Sequence, residues 1–232
     1  MANTFNFGGI KETSAVGAAR SLKPWGIYEV KFDGLELNDI KGKKDPEATY
    51  KTVKMSFSNG EGVFVNNLFI PTSEQDAERP VYKNKDGHEY EAPSRFEDFK
   101  WTLLQLAQVV NPEGYKKLQE QSSKIKSMDD FVKIVMACAN AKKGATTNLK
   151  LTGRTTEDGK TYARIPRIVG VNKEGELFIS DKFVGDNLEF TLYEADKAKA
   201  YHSAKPTDME AVASDAGSES HGSEDDLDFE GL

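Results

Sequence analysis

Tyrosines that stand close to lysines or arginines are the side chains of this sequence best suited to binding a ligand. The pattern occurs at Tyr50 and Lys54, at Tyr82 and Lys83, and around Tyr162. An exposed ring can stack on an unpaired base, which contributes roughly 1–3 kcal/mol per base, and a cation can neutralise a phosphate. Neither contact reads the edge of a base, so the pattern predicts binding to single-stranded nucleic acid with little sequence preference.

The candidate interface consists of aromatic and basic residues on the predicted outward faces of strands and on exposed loops. Its members are Trp25, Lys41, Lys43, Lys44, Tyr50, Lys54, Tyr82, Lys83, Lys85, Tyr90, Lys150, Arg154, Tyr162, Arg164 and Arg167. A tyrosine beside a lysine on an exposed strand also arises from ordinary cross-strand packing, in which the lysine stem covers the ring. The binding hypothesis therefore depends on these residues converging on one surface.

Charge is divided unevenly along the sequence. There are 38 acidic and 31 basic residues, a formal net charge of −7, but nine of the acids and none of the basic residues lie in 207–232. Removing those nine leaves 29 acids against 31 basic residues, so residues 1–206 carry about +2. A slightly cationic body can bind polyanions, whereas a uniformly acidic protein would repel them.

The acidic terminal segment ends in apolar side chains. It has too little apolar surface to fold by itself, yet it finishes with more apolar residues than a solubilising tail needs. Such a segment can compete with nucleic acid for a basic groove, or it can be captured by a basic, apolar pocket on a partner. The residues assigned to partner binding are Asp225, Asp226, Leu227, Asp228, Phe229 and Leu232. The alternative is a solvated tail with no specific role.

The composition disfavours several classes of protein. Cys138 is the only cysteine, which excludes an internal disulfide, and the three histidines are scattered, so no metal site is expected. The sequence has neither a run of about 18 apolar residues nor a charged n-region followed by an apolar block. We therefore expect no membrane span and no export, and a cytoplasmic location.

One short motif raises the question of catalysis. Lys31-Phe32-Asp33-Gly34 matches the Lys-x-Asp-Gly pattern of DNA ligases and other nucleotidyltransferases, in which the lysine attacks a nucleotide phosphate. Only 26 residues separate Gly34 from the later Glu61-Gly62 pair, too few for a nucleotide pocket between the two motifs. We therefore expect no catalytic residues, no cofactor and no enzyme.

Two periodicities set the predicted fold. Apolar residues alternate, as in half-buried strands, over 25–37, 50–57, 63–70, 148–154, 161–171, 177–180 and 188–193. Helical spacing follows Ser94 and Ser127, each with an acidic residue three positions on, and Asn111-Pro112 predicts a further helix start. This order predicts an α+β, mainly β, protein: an OB-fold-like barrel with an enlarged helical insert, about 94–141, between its third and fourth strands. Other barrels and sandwiches remain open.

The predicted organisation has three parts. Residues 1–22 form a flexible N-terminal arm, 23–200 an OB-like nucleic-acid-binding domain, and 201–232 a disordered acidic C-terminal tail. On the strand over 148–154, we expect Leu149 and Leu151 to face the core while Lys150 and Arg154 face outward. Cys138 falls on an apolar helix stripe and is expected to be structural.

The sequence resembles single-stranded DNA-binding proteins of the phage or bacterial replication type, loosely in its OB-like body and more closely in Asp225-Asp226-Leu227-Asp228-Phe229. The resemblance implies an OB-fold and a disordered acidic C terminus that competes with DNA and recruits replication proteins such as a polymerase or helicase. The bacterial tail typically ends Asp-Asp-Asp-Ile-Pro-Phe, whereas Glu230-Gly231-Leu232 follow Phe229 here. That departure favours a phage-specific partner.

The resulting hypothesis is a protein that protects single-stranded DNA in phage DNA replication, recombination or repair, within the bacterial host cytoplasm. A homo-oligomer is left open. The alternative is a structural, assembly or scaffold protein without nucleic-acid binding, whose tail docks a partner. An inhibitor that mimics DNA fits less well, because the folded body is not acidic.

Overall fold

The computed structural model describes residues 20–42, 45–83 and 87–204. Nine strands and four α-helices are found in this part of the chain. The strands are β1 (Gly26–Lys41), β2 (Thr49–Ser58), β3 (Val63–Phe69), β4 (Val81–Lys83), β5 (Glu89–Glu91), β6 (Thr146–Thr155), β7 (Thr161–Arg164), β8 (Val169–Val171) and β9 (Leu177–Ile179). The helices are α1 (Arg95–Val110), α2 (Pro112–Glu120), α3 (Met128–Asn140) and α4 (Leu192–Ser203).

Five strands form one antiparallel sheet in the order β3-β2-β1-β6-β7. The long strand β1 lies at the centre of this sheet and pairs along both of its edges. Residues 26–31 pair with β6, and residues 31–41 pair with β2. A register shift between Phe32 and Gly34 marks a bulge where β1 changes partner. Gly34 has φ +127°, a backbone conformation that side chains with a Cβ rarely adopt, so the bulge favours glycine.

One face of this sheet packs on the helices and forms the core. Fully buried side chains include Phe32 on β1, Phe57 on β2 and Leu151 on β6, which meet Leu103 of α1 and Val135 of α3. Each such side chain stabilises the fold by about 1.5–3 kcal/mol relative to an exposed one. The face that carries these residues is the one predicted from the alternation of apolar positions.

The helix starts agree with the sequence. Ser94 and Glu97 form a reciprocal capping box at the start of α1, and the Ser127 hydroxyl accepts a hydrogen bond from the Asp130 amide at the start of α3. Asn111 caps α2, whose first residue is proline. These predictions are confirmed, because each cap satisfies backbone N–H groups that have no partner within the helix.

The α+β class is confirmed, but a closed barrel is not found. The sheet ends at β3 on one side and β7 on the other, and no pairing between these two strands occurs within residues 20–42, 45–83 and 87–204. The helices α1 to α3 lie between β3 and β6 along the chain, together with the separate β4–β5 hairpin.

Several boundaries differ from the prediction. The expected strand over 161–171 is split into β7 and β8 around the buried Pro166, which cannot donate to a strand ladder. The expected strand over 188–193 is instead the approach to α4, which begins with a capping box between Thr191 and Glu194.

The folded body is also longer than predicted at both ends. Leu22 is buried and its amide donates to the Val63 carbonyl, so the body begins before residue 23. Because α4 runs to Ser203, the body also extends past residue 200.

No helix among the described residues combines the length and the apolar character that crossing a membrane requires.

Candidate nucleic-acid interface

Strand register assigns the predicted binding residues to faces of the sheet. Lys54 lies opposite Glu36 across β1–β2, and Arg154 lies opposite Tyr162 across β6–β7. Residues directly opposite each other in an antiparallel pair project to the same side. Counting by alternation from the buried core residues, these side chains belong to the face away from the core, which we call the outer face. The predicted residues on the outer face are Tyr50, Lys54, Lys150, Arg154, Tyr162 and Arg164.

Three of these residues are neighbours and form what we call the β6–β7 ribbon: Arg154, Tyr162 and Arg164. Arg154 is directly opposite Tyr162, and Arg164 follows Tyr162 by two residues on the same strand, opposite Thr152. Arg164 is exposed, whereas Arg154 and Tyr162 are half-buried. The ribbon therefore places one ring between two guanidinium-bearing side chains, which is the combination that single-stranded nucleic acid can use.

A second aromatic group lies near the other end of β1. The rings of Tyr50 and Phe69 meet edge to face with centroids 6.0 Å apart, and Tyr50 is 47% exposed. Phe69 was not among the predicted residues. It could have been found from the pairing of β2 with β3, which puts Phe69 opposite Thr52, two residues from Tyr50 on the same face. The exposed Lys41 is close to this pair in the sheet, since Ile40 lies opposite Tyr50.

The two groups stand at opposite ends of the sheet. Tyr50 is opposite Ile40, near the end of β1. At the start of β1, Gly26 pairs with Leu151 of β6, and Arg154 lies three residues beyond Leu151 on β6. A strand rises about 3.3 Å per residue, so most of the length of β1 separates them. Between the two groups, Lys54 Nζ lies 3.4 Å from Glu36 Oε2. This salt bridge leaves the Lys54 ammonium less available to a phosphate.

The β4–β5 hairpin forms a third group outside the main sheet. Tyr82 lies opposite Tyr90, with ring centroids 5.8 Å apart and an interplanar angle of 31°. Lys83 is paired with Glu89 at 3.1 Å, and both of these side chains are exposed. The hairpin thus offers the rings of Tyr82 and Tyr90, while the charge of Lys83 is already balanced by Glu89.

Arg79 fixes the base of this hairpin to the body. Its guanidinium bonds both carboxylate oxygens of Glu97 on α1 at 2.8–3.1 Å and donates to the Gly175 carbonyl in the β8–β9 turn at 2.6 Å. This contact holds the pKa of Glu97 below its ordinary value, although burial alone would raise it. This contact could not be predicted from the sequence, because Glu97 and Gly175 lie 18 and 96 residues from Arg79 along the chain.

The prediction that Lys150 faces solvent and contacts phosphate is wrong. Its side chain is fully buried, and its ammonium lies 2.6 Å from both carboxylate oxygens of Asp181 and 3.1 Å from Glu194 Oε2. It also donates to the Glu189 carbonyl at 3.0 Å. Alternation put Lys150 on the outer face, but the chain after β9 folds over that part of the face. Burial raises the pKa of the Asp181 carboxyl, and the hydrogen bond from Lys150 opposes that rise.

Trp25 is separated from the β6–β7 ribbon by the sheet. Its indole lies against Gly153, where a Cβ would collide with indole Nε1, and Gly153 alternates with Arg154 and therefore projects to the core side. Trp25 has φ +58°, a left-handed conformation that is rare for a bulky residue. The structure therefore places Trp25 in packing and not beside the ring of Tyr162.

Arg167 lies in the link between β7 and β8 and interacts with Asp98 on α1. Asp98 Oδ1 is buried and has no hydrogen-bond partner. Burial raises the pKa of the Asp98 carboxyl, and the positive charge of Arg167 opposes that rise. Arg167 is itself exposed, so its charge acts on this carboxyl without a hydrogen bond to the buried oxygen.

Some predicted residues lie outside the described residues, so the structure does not place them. These are Lys43, Lys44, Lys85, Asp225, Asp226, Leu227, Asp228, Phe229 and Leu232.

Within the described ranges, no group of three or more His, Cys, Asp or Glu side chains is arranged to hold a metal ion. Cys138 is half-buried, and burial raises the pKa of its thiol, which makes it a poor nucleophile at neutral pH.

Comparisons of the chain with protein-family models, with curated proteins and with solved structures give no match.

Proposed function

We propose that the protein binds single-stranded DNA with little sequence specificity and protects it during replication or recombination. In this proposal the β6–β7 ribbon is the central contact, and the Tyr50–Phe69 pair and the β4–β5 hairpin extend the interface. The acidic segment over 207–232 competes with DNA and recruits replication proteins such as a polymerase or helicase.

The observation that supports this proposal best is the β6–β7 ribbon. A ring flanked by two arginines offers a stacking surface and two phosphate contacts within one cross-strand neighbourhood. In a duplex the faces of the bases are already stacked on one another, so a ring can reach them only in a single strand. Ring stacking and phosphate contacts carry no information on base edges, so we expect little sequence preference.

The sheet also supports an OB-related arrangement. OB-folds are five-stranded Greek-key barrels, in part open, that bind oligonucleotides on a strand face and adjoining loops. Here a bulged β1 pairs with β2 through one half and with β6 through the other, and three helices lie between the third strand and β6. We propose that this sheet is an open version of that arrangement.

An oligonucleotide titration across salt concentrations tests the proposal. The ligand is fluorescent oligo(dT), longer than the roughly 4–16 nucleotides that one OB-type site covers, with the matching duplex as comparison. Tyr162→Ala should weaken oligo(dT) binding by about 1–3 kcal/mol, while Tyr162→Phe, which keeps the ring, should not. Arg164→Ala should reduce the slope of log K against log salt by about 0.7.

Lys173→Ala is the matched control for charge, because Lys173 is exposed in the β8–β9 turn, outside the main sheet. Equal affinity for single strand and duplex, with no effect of the ribbon variants, would contradict the proposal. That result would favour the alternative of an assembly or scaffold protein.

A further inference from the structure

The second half of strand β1 has an open edge on the side that faces β6. Pairing with β6 ends before the bulge, and the Asn140 carboxamide then bonds both the amide and the carbonyl of Leu35 on that side. Alternate residues of a strand direct their backbone groups to the same edge, so those of Leu37, Asp39 and Lys41 point the same way. Within the described part of the chain, no backbone group bonds these three residues on that side.

This segment over 37–41, which we call the β1 edge, is also exposed through its side chains. Leu37 is 58% exposed, and Asp39 and Lys41 are exposed as well. Amides and carbonyls in a row at a bare edge form a template for pairing with a strand of another chain. The Asn140 carboxamide occupies the edge at Leu35, so it limits such a strand to the residues that follow.

The charges on the β1 edge suit a second copy of the same chain. If two copies pair antiparallel about Ile40, Asp39 of each lies directly opposite Lys41 of the other, so the two-fold symmetry forms two opposite-charge pairs at once. The backbones of Asp39 and Lys41, which point to this edge, then exchange hydrogen bonds across the axis. Pairing about Asp39 instead would put two aspartates face to face, and like charges directly opposite each other are destabilising.

We propose that the β1 edge is a self-pairing surface, through which two copies of the chain form a dimer with one continuous sheet. In this dimer the strands run in the order β3-β2-β1 and then β1-β2-β3 of the second copy. A contact of this length is smaller than the roughly 1,200–2,000 Å² that stable interfaces bury, so the dimer is weak and its population depends on protein concentration.

Such a dimer joins two aromatic groups of the proposed single-strand interface. Tyr50 lies opposite Ile40 across β1–β2, and the two-fold axis puts Ile40 opposite its own copy. The outer face then carries a row of four side chains, Tyr50 and Ile40 of each copy, in which the two tyrosines are three strand spacings, about 14 Å, apart. Phe69 lies against Tyr50 in each copy. This consequence rests on the proposed function, whereas the pairing of the edges does not.

Charge exchange on the β1 edge tests the surface without DNA. Sedimentation equilibrium from micromolar to millimolar protein should show a monomer–dimer equilibrium. Asp39→Lys places like charges opposite each other twice and should weaken dimerisation by about ten-fold or more, while adding Lys41→Asp to it should restore the affinity. Glu174→Lys makes the same charge change at an exposed position of the β8–β9 turn and should have no effect. A protein that stays monomeric, or equal dimer affinities of Asp39→Lys and Glu174→Lys, would overturn the inference.

Disulfide cross-linking tests the register, in a Cys138→Ala background that removes the natural thiol. Directly opposite residues of a hydrogen-bonded antiparallel pair have Cα atoms about 5.5 Å apart, within the range of a disulfide. A mixture of Asp39→Cys and Lys41→Cys proteins should therefore cross-link on mild oxidation. Neither protein should cross-link with itself, because identical positions are two residues out of register and their Cα atoms lie more than about 7 Å apart.

The cross-linking outcomes separate this inference from the proposed function. No cross-link in the mixture, or a cross-link of the Asp39→Cys protein with itself, would overturn the pairing about Ile40 and leave DNA binding untouched. Failure of oligo(dT) to bind, in a protein that dimerises and cross-links as expected, would overturn the proposed function and leave the self-pairing surface intact.

Discussion

Asn140 and Leu35 lie 105 residues apart in the chain, and the carboxamide of the first holds the backbone of the second through two hydrogen bonds. Asn140 Oδ1 accepts from the Leu35 amide at 2.8 Å, and Asn140 Nδ2 donates to the Leu35 carbonyl at 2.9 Å. On this edge β1 has strand pairing only as far as Lys31, opposite Thr146 of β6. The last residue of α3 therefore replaces a strand partner just after the bulge.

Replacing Asn140 with alanine should destabilise the protein. Asn140→Ala removes both hydrogen bonds and leaves a partly buried amide and carbonyl without partners, a loss of about 2 kcal/mol in the free energy of unfolding. Chemical denaturation measures it. The control is Asn38→Ala, at an exposed position of β1, which should change stability by less than about 0.5 kcal/mol. Similar losses for both variants would show that the carboxamide is not the cause.

Removing the buried cation should have a larger effect. Lys150→Met keeps most of the volume but leaves the Asp181 and Glu194 carboxylates facing each other without their partner, at a cost of about 3 kcal/mol. Urea denaturation at neutral pH measures the loss. Lys54→Met removes a partly exposed lysine that pairs with Glu36, so its loss should stay below about 1 kcal/mol. If the Lys150→Met protein is as stable as the parent, the ion pairs of Lys150 with Asp181 and Glu194 make no net contribution to the free energy of unfolding.

Stability should respond to pH through Asp98. Burial raises the pKa of the Asp98 carboxyl in the folded protein. The stabilisation that comes from this shift is therefore fully present below the unfolded pKa, near 3.9, and is lost as the pH rises through the folded pKa. Asp98→Asn removes the charged form. It should therefore stabilise the protein by about 1 kcal/mol at neutral pH and show little advantage in acid.

Thermal melts of both proteins across pH give this comparison. Asp196→Asn, at an exposed position of α4, serves as control and should change stability by less than about 0.5 kcal/mol at any pH. If Asp98→Asn raises the stability as much in acid as at neutral pH, the gain does not come from removing a buried negative charge.

Deleting 214–232 tests competition by the acidic segment. These residues include seven acids and no basic residue, so their removal should tighten binding of single-stranded DNA, most at low salt, where charges are least screened. Filter-binding titrations at two salt concentrations measure the change. A length-matched chain whose seven acids are replaced by Asn and Gln separates charge from length. Equal affinities with and without the segment would rule out competition.

The sequence predicted best what depends on local pattern. The strands β1 to β3 and the caps at Ser94, Asn111 and Ser127 follow from alternation and from side chains that bond nearby amides. Helix α4 was missed because a short apolar run over 188–193 suits a strand as well as the approach to a capped helix.

Burial by distant segments could not be read from the sequence. Lys150 alternates with Leu149 and Leu151 as an outward residue should, yet Asp181, from a later segment, encloses it. Phe69 and Arg79 were missed for the same reason, since their roles depend on partners from other strands and turns. Periodicity assigns a residue to a face, but it does not say what later covers that face.

The double pairing of β1 has a consequence for synthesis of the protein on the ribosome. The edge of β1 over residues 26–31 meets its partner only when residues 146–151 have been translated, more than a hundred residues later. Until then a nascent chain presents an incomplete sheet, and bare strand edges are where unfinished chains associate with one another. Translation products that stop before Thr146 should therefore accumulate in inclusion bodies, while the full-length polypeptide closes that edge within its own sheet.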